Sequence, residues 1–173
     1  MNGEVAENSS GPGHRFRLRV YYEDTDAGGV VYHASYLRFA ERARTEALRD
    51  LGIPHAEMTS QYGLMFMVRR AKLDYLAPAR LDDSLVVVTR PLVLRAASVE
   101  LRQGFFRSGE ERPLVVLDAL LACVRVADCR PARLPRRWRD GLLTLCQVAA
   151  PAEEGVGAGI GGRDSAGSDN VGG

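Results

Sequence analysis

Phe16, Leu18, Val20 and Tyr22 alternate with Arg15, Arg17, Arg19 and Tyr21. Period two over this length predicts a half-buried strand. Residues 23–34 break the pattern with two glycines and three acids, which predicts a loop. Ser35 stands where it would cap a helix. Tyr36, Ala40, Ala43, Ala47 and Leu51 then recur at steps of three and four, with Arg38, Arg42, Thr45 and Arg49 opposite. That spacing predicts an amphipathic helix, stopped by Gly52 and Pro54. A second, short helix is expected over 55–62. Beyond Gly63 the apolar runs are β-branched, and strands are expected at 64–76, 85–94, 98–106 and 114–126. Pro78 with Asp82 and Asp83 marks a turn over 77–84, and 108–113 reads as a hairpin connection. Strand, long helix, then four antiparallel strands predict an α+β domain: a curved antiparallel sheet wrapped around one long helix. There is no internal repeat and no βαβ alternation, which argues against a Rossmann sheet.

Composition limits the domain. The chain has 173 residues, 46% hydrophobic and 26% charged, enough for one ordinary core. Residues 1–13 carry almost no apolar side chains, and 148–173 are rich in Gly, Ala, Ser and Asp, so both read as tails around a folded unit at 14–147. The net charge of +1 gives no footprint for nucleic acid. No apolar run approaches the roughly 18 residues of a membrane span. Cys123, Cys129 and Cys146 form neither a disulfide framework nor a zinc motif. With no basic and apolar leader in residues 1–13, they are expected to be reduced thiols in a cytoplasmic protein.

The loop holds the chemistry. It reads Tyr21-Tyr22-Glu23-Asp24-Thr25-Asp26-Ala27-Gly28-Gly29-Val30-Val31-Tyr32-His33. The glycines let a ligand approach main-chain N–H groups, and the start of the following helix adds oriented donors. A carboxylate beside such donors suits attack on a carbonyl whose oxyanion is held by amides. Glu23 and Asp24 are read as structural; a calcium site would need more oxygen ligands at regular spacing.

The stretch from Tyr22 to Tyr36, together with Asp74-Tyr75-Leu76-Ala77-Pro78-Ala79-Arg80-Leu81-Asp82-Asp83, resembles the 4-hydroxybenzoyl-CoA thioesterase family. Within it, the likeness is to the Tol–Pal-associated acyl-CoA thioesterases, over residues 16–134. The resemblance implies a hotdog fold and hydrolysis of acyl-coenzyme A to a free acid and CoA, with no metal or other cofactor. The family's catalytic aspartate falls on Asp26, as nucleophile or as base for a water. His33 and Tyr22 fall on assisting positions. Backbone amides of Gly29, Val30, Val31 and Tyr32, or those at the helix start, would polarise the thioester carbonyl. The resemblance also implies a homodimer, usually doubled to a homotetramer, with the site between subunits. Pairing sheet edges would remove an exposed edge, and strand 114–126 is apolar enough to serve an interface.

Other residues carry weaker chemistry. Arg69, Arg70 and Lys72 form a basic cluster, and Arg69 is a candidate for a CoA phosphate. Strict alternation would put Arg69 and Arg70 on opposite faces. Glu41 and Glu46 are outside candidates for a helix carboxylate. His14, His55 and the Arg133, Arg136, Arg137, Arg139 group read as surface. Two rival functions remain: a non-catalytic subunit binding acyl thioesters or acyl-carrier protein, and a hotdog dehydratase, whose His and carboxylate usually sit on different elements.

Overall fold

The computed structural model describes residues 12–147. The tails expected at 1–13 and 148–173 lie outside the described residues, apart from Pro12 and Gly13. Gly13 is buried at φ +130°, and a Cβ there would stand 2.7 Å from the Thr89 carbonyl, so only glycine fits.

The chain runs β1 (His14–Arg19), α1 (Ser35–Asp50), α2 (His55–Tyr62), β2 (Leu64–Tyr75), β3 (Ser84–Leu94), β4 (Ser98–Arg107), β5 (Pro113–Arg125) and α3 (Arg136–Gln147). All strand pairs are antiparallel, in the order β1-β3-β4-β5-β2. The four later strands fall within a residue or so of their expected bounds, because alternation and turn residues are local signals; β1 stops at Arg19, three residues short of the alternation read to Tyr22, where a tight helical turn begins instead. Pro91 sits inside β3, where the register slips between Pro91 and Val93. A residue that cannot donate to the ladder is tolerated at such a bulge.

α1 lies on the sheet. Tyr36, Phe39, Ala40 and Ala43 form one core with Val87, Phe105, Val115 and Leu117, as the apolar stripe predicts. This is the hotdog arrangement, an antiparallel sheet curved around a central helix. Gln103 is a fully buried polar side chain within it. Its Nε2 donates to the Ala40 carbonyl (3.0 Å) and to Thr89 Oγ1 (2.9 Å), and its Oε1 accepts from Arg44 (2.8 Å). Every polar atom of the amide is thereby used to fix α1 to β3 and β4.

Four expectations need correction. α3 was not foreseen, yet it adds a second core: Trp138, Leu142 and Leu145 pack on Ala47, Leu48, Ile53 and Met58. Ser35 does not cap α1. Ala34 holds that position without a side-chain bond, and Ser35 Oγ donates instead to the Asp24 carbonyl at 3.3 Å. His14 and His55 are not surface residues. The His14 ring is 12% exposed and hydrogen-bonds Asp50 at 2.7 Å, while His55 is half-buried edge-on to Phe66. The strand at 114–126 is β5, paired on both sides, so the edges open to an edge-to-edge interface are those of β1 and β2.

The three cysteines are free thiols, and burial pushes Cys123 up to about 11. No described helix is long and apolar enough to cross a membrane.

Candidate active site

The loop between β1 and α1 is built by its own backbone. After Val20, residues 22–24 make one tight helical turn. Asp24 is 3% exposed. Its carboxylate accepts the Tyr21 N–H at 3.0 Å, and its carbonyl accepts the Tyr32 N–H at 2.8 Å. This acid therefore closes the loop on itself, which agrees with a structural role. The turn over 26–30 is equally determined. Asp26 N–H donates to the Val30 carbonyl and Gly29 N–H to the Asp26 carbonyl, each at 2.9 Å. Gly29 takes φ +71°, a left-handed value that glycine adopts without strain.

Asp26 is exposed at the tip of this turn. Gly28 N–H donates to Asp26 Oδ1 at 2.8 Å, the local bond that aspartate makes in turns. Among the described residues no ion pair engages the carboxylate, so Asp26 Oδ2 faces outward without a partner. One oxygen is fixed and the other is available to a reacting atom.

The four amides proposed to hold an oxyanion are not equivalent. Gly29 N–H is spent on Asp26, Val31 N–H on the Ala79 carbonyl (2.8 Å), and Tyr32 N–H on Asp24. Val31 also buries its side chain in the core. Among the described hydrogen bonds none uses the amide of Val30, His33 or Ala34. The donors left over therefore lie at Val30 and at the entrance to α1.

His33 is exposed beside Asp26's turn, its ring 4.3 Å from that of Tyr32. Its carbonyl accepts the Tyr75 hydroxyl at 3.0 Å, which ties the end of β2 to the start of α1. Sequence reasoning did not single out Tyr75, although it lies in the second segment that carried the resemblance. Tyr36 supports the same corner: its hydroxyl accepts the Ala79 N–H at 3.4 Å, and burial pushes its phenol up. Tyr22 shares the loop, but its ring is 82% exposed. Val30 bridges to Arg80 across the turn that follows β2.

Arg69 sits on β2 at a bulge: Val68 pairs with Leu121 and Arg70 with the adjacent Leu120, so Arg69 is the extra residue. A bulge breaks the alternation that would have put Arg69 and Arg70 on opposite faces, and both are exposed. Glu46 pairs with Arg49 on the outer face of α1, and Glu41 accepts the Thr45 hydroxyl. Among the described residues no group of three or more His, Cys, Asp and Glu side chains is placed to hold a metal.

A curved sheet on one helix, with a carboxylate on the loop that feeds that helix, defines a hotdog-fold thioesterase scaffold. The crystal structure of a probable thioesterase from Bartonella henselae matches it with a TM-score of 0.66 and 37% identity, covering 70% of this chain and 98% of that one. The model of the thioesterase superfamily matches residues 28–114. The acyl-CoA thioesterase YbgC of Haemophilus influenzae is 41% identical over 124 residues, 72% of this chain and 90% of that protein. A 1,4-dihydroxy-2-naphthoyl-CoA hydrolase from Thermosynechococcus vestitus is 33% identical over 139 residues, 80% of this chain and 94% of that protein. The chain belongs to the thioesterase superfamily. Asp26 lies two residues before the span that the family model matches.

Proposed function

We propose that this chain hydrolyses acyl-CoA thioesters, with Asp26 as nucleophile or general base. One observation carries the reading: an exposed carboxylate fixed through one oxygen, on the same loop whose Val30, His33 and Ala34 amides are left unengaged. As base, Asp26 takes a proton from water while the oxygen adds to the thioester carbonyl. The tetrahedral oxyanion is met by the Val30, His33 or Ala34 amides, and its collapse expels the thiolate of CoA. As nucleophile, Asp26 adds to the carbonyl, the C–S bond breaks to release the CoA thiolate, and water then cleaves the mixed anhydride to the free acid and the restored carboxylate. A thioester is electrophilic and its thiolate leaves readily, so no stronger base is required. His33 and Tyr22 assist by proton transfer or orientation, and Arg69 at its bulge meets a CoA phosphate.

The site is completed by a second copy. β2 is an open edge with Met67, Val68, Tyr75 and Leu76 exposed along and just beyond it, and a strand edge of this kind is normally paired or protected. Homodimers through β2, doubled to tetramers, are expected in sedimentation analysis. Acyl-carrier protein is the alternative donor of the acyl group. A cytoplasmic enzyme serving the Tol–Pal envelope system is the setting that this likeness suggests, checked by fractionation and by envelope leakage in a deletion strain.

The test is thiol release from acyl-CoAs of graded length and from 4-hydroxybenzoyl-CoA. Asp26→Asn keeps an oxygen for the Gly28 N–H, so the turn survives while the charge is lost. Loss of about 100-fold or more in kcat is expected, the scale of general-base catalysis. A wild-type protein that releases no thiol but binds acylated carrier protein would move the reading to a non-catalytic subunit.

A further inference from the structure

The chain leaving β2, from Tyr75 to Arg80, supplies no group to the proposed mechanism, yet it holds the catalytic loop. Val31 N–H donates to the Ala79 carbonyl at 2.8 Å, Ala79 N–H donates to the Tyr36 hydroxyl at 3.4 Å, and Val30 bridges to Arg80. Tyr75 Oη donates to the His33 carbonyl at 3.0 Å. The segment is itself fixed from behind. Leu76 and Ala77 N–H both donate to the Leu114 carbonyl, at 2.8 and 3.0 Å. Arg107 donates to the Pro78 carbonyl at 3.2 Å and to the Asp83 carboxylate at 3.1 Å. The Tyr75 ring is braced edge-on by Tyr36, centroids 5.8 Å apart at 70°. Its hydroxyl is therefore delivered to the loop from a fixed support.

The carbonyl that it reaches matters. Two of the unengaged amides, those of His33 and Ala34, belong to the peptide groups on either side of residue 33. A peptide group is planar and turns as a unit, so fixing its carbonyl fixes the direction of its N–H. A hydrogen bond accepted by the carbonyl also polarises the group and strengthens the donor at its other end. The Tyr32 carbonyl, which shares a peptide group with the His33 N–H, accepts the Ser35 N–H at 2.8 Å, a bond made within the loop. The His33 carbonyl shares a peptide group with the Ala34 N–H. Among the described hydrogen bonds only that of Tyr75 reaches it.

We propose that Tyr75 is a positioning residue for thioester hydrolysis: through the His33 carbonyl its hydroxyl holds the entrance to α1, and the Ala34 N–H above all, aimed at the oxyanion. The inference rests on the reading of Asp26 and the loop amides given above. The hydroxyl touches no reacting atom and acts through one peptide group. Its effect therefore falls where the negative charge is, on the tetrahedral intermediate and the transition states around it. Binding of the uncharged thioester carbonyl gains little from it, so kcat and not KM carries the loss.

Tyr75→Phe keeps the ring against Tyr36 and removes only the hydroxyl, so the variant should fold and melt as wild type does. Thiol release is measured with the acyl-CoA of the graded series that wild type hydrolyses fastest. kcat should fall about five- to tenfold, the weight of one neutral hydrogen bond, with KM within about twofold. In the amide spectrum of 15N-labelled protein without substrate, the Ala34 resonance should move upfield as its peptide loses polarisation, while those of β3 and β4 stay in place. Tyr62→Phe, which removes a hydroxyl from an exposed ring packed on Trp138, should change neither kcat nor the Ala34 resonance. An active wild type whose Tyr75→Phe variant keeps its kcat, loses only in KM, or leaves the Ala34 resonance unmoved would overturn the inference and leave the reading of Asp26 standing. A wild type that releases no thiol, or an Asp26→Asn variant with full activity, would overturn that reading and this inference with it.

Discussion

Gln103→Leu removes the polar clamp between α1 and the sheet while nearly conserving side-chain volume. The two bonds from Nε2, to Ala40 and Thr89, are neutral and contribute about 1 kcal/mol each. The bond that Oε1 accepts from Arg44 is charge-assisted, about 1.5–3 kcal/mol. A leucine would offset this fully only if the partners became apolar too, and here Ala40, Thr89 and Arg44 all remain. The expected loss is therefore about 3–5 kcal/mol. At roughly 3 °C per kcal/mol for a unit of this size, Tm should fall by about 10–15 °C. Thermal and urea unfolding at one fixed protein concentration measure it, because an oligomer's stability depends on concentration. Gln103→Glu keeps the acceptor for Arg44 and loses only the donations, so it should cost markedly less. A loss below about 1 kcal/mol in Gln103→Leu would refute the reasoning, since the three bonds would then carry no net weight.

Gly28→Ala would place a Cβ 3.0 Å from Asp26 Oδ1, forcing the carboxylate to move by a few tenths of an ångström. Thiol release should fall several-fold with little change in Tm, since a shift of about 1 Å can cost about 100-fold; an unchanged kcat would count against Asp26 as the reacting group. Burial is the main cause that lowers the pKa of His55, with Arg44 and Arg49 adding to it and Glu41 opposing. The unfolded chain therefore takes up a proton near the ordinary value of 6.5 while the folded chain does not. Stability should be full above that pH and decline as pH falls through 6.5, until the folded ring protonates in turn. Urea unfolding of wild type and His55→Gln between pH 8 and about pH 5 checks this, and the variant should show the flatter profile.

The site was legible as far as it is local. Asp26, Gly28 and Gly29 lie within a few residues of one another, and turn chemistry over that distance is written in residue type. The amides could not be sorted in advance, because their acceptors come from elsewhere: Val31 donates to Ala79, 48 positions along the chain. Tyr75 escaped notice for the same reason, since its partner His33 is 42 residues away. α3 was legible and missed: Trp138, Leu142 and Leu145 have helical spacing, masked by the arginines around them.

The sequence by itself determined the strands, both early helices and the loop, since period and turn residues act over a few positions. It also marked Asp26 within that loop. Only the tertiary structure decided that β1 and β2, and not β5, are the edge strands, that His14 and His55 are enclosed, and that a bulge re-aims Arg69. These are properties of distant segments brought together, and burial belongs to the packed sheet and helices and not to any one residue's neighbours in sequence.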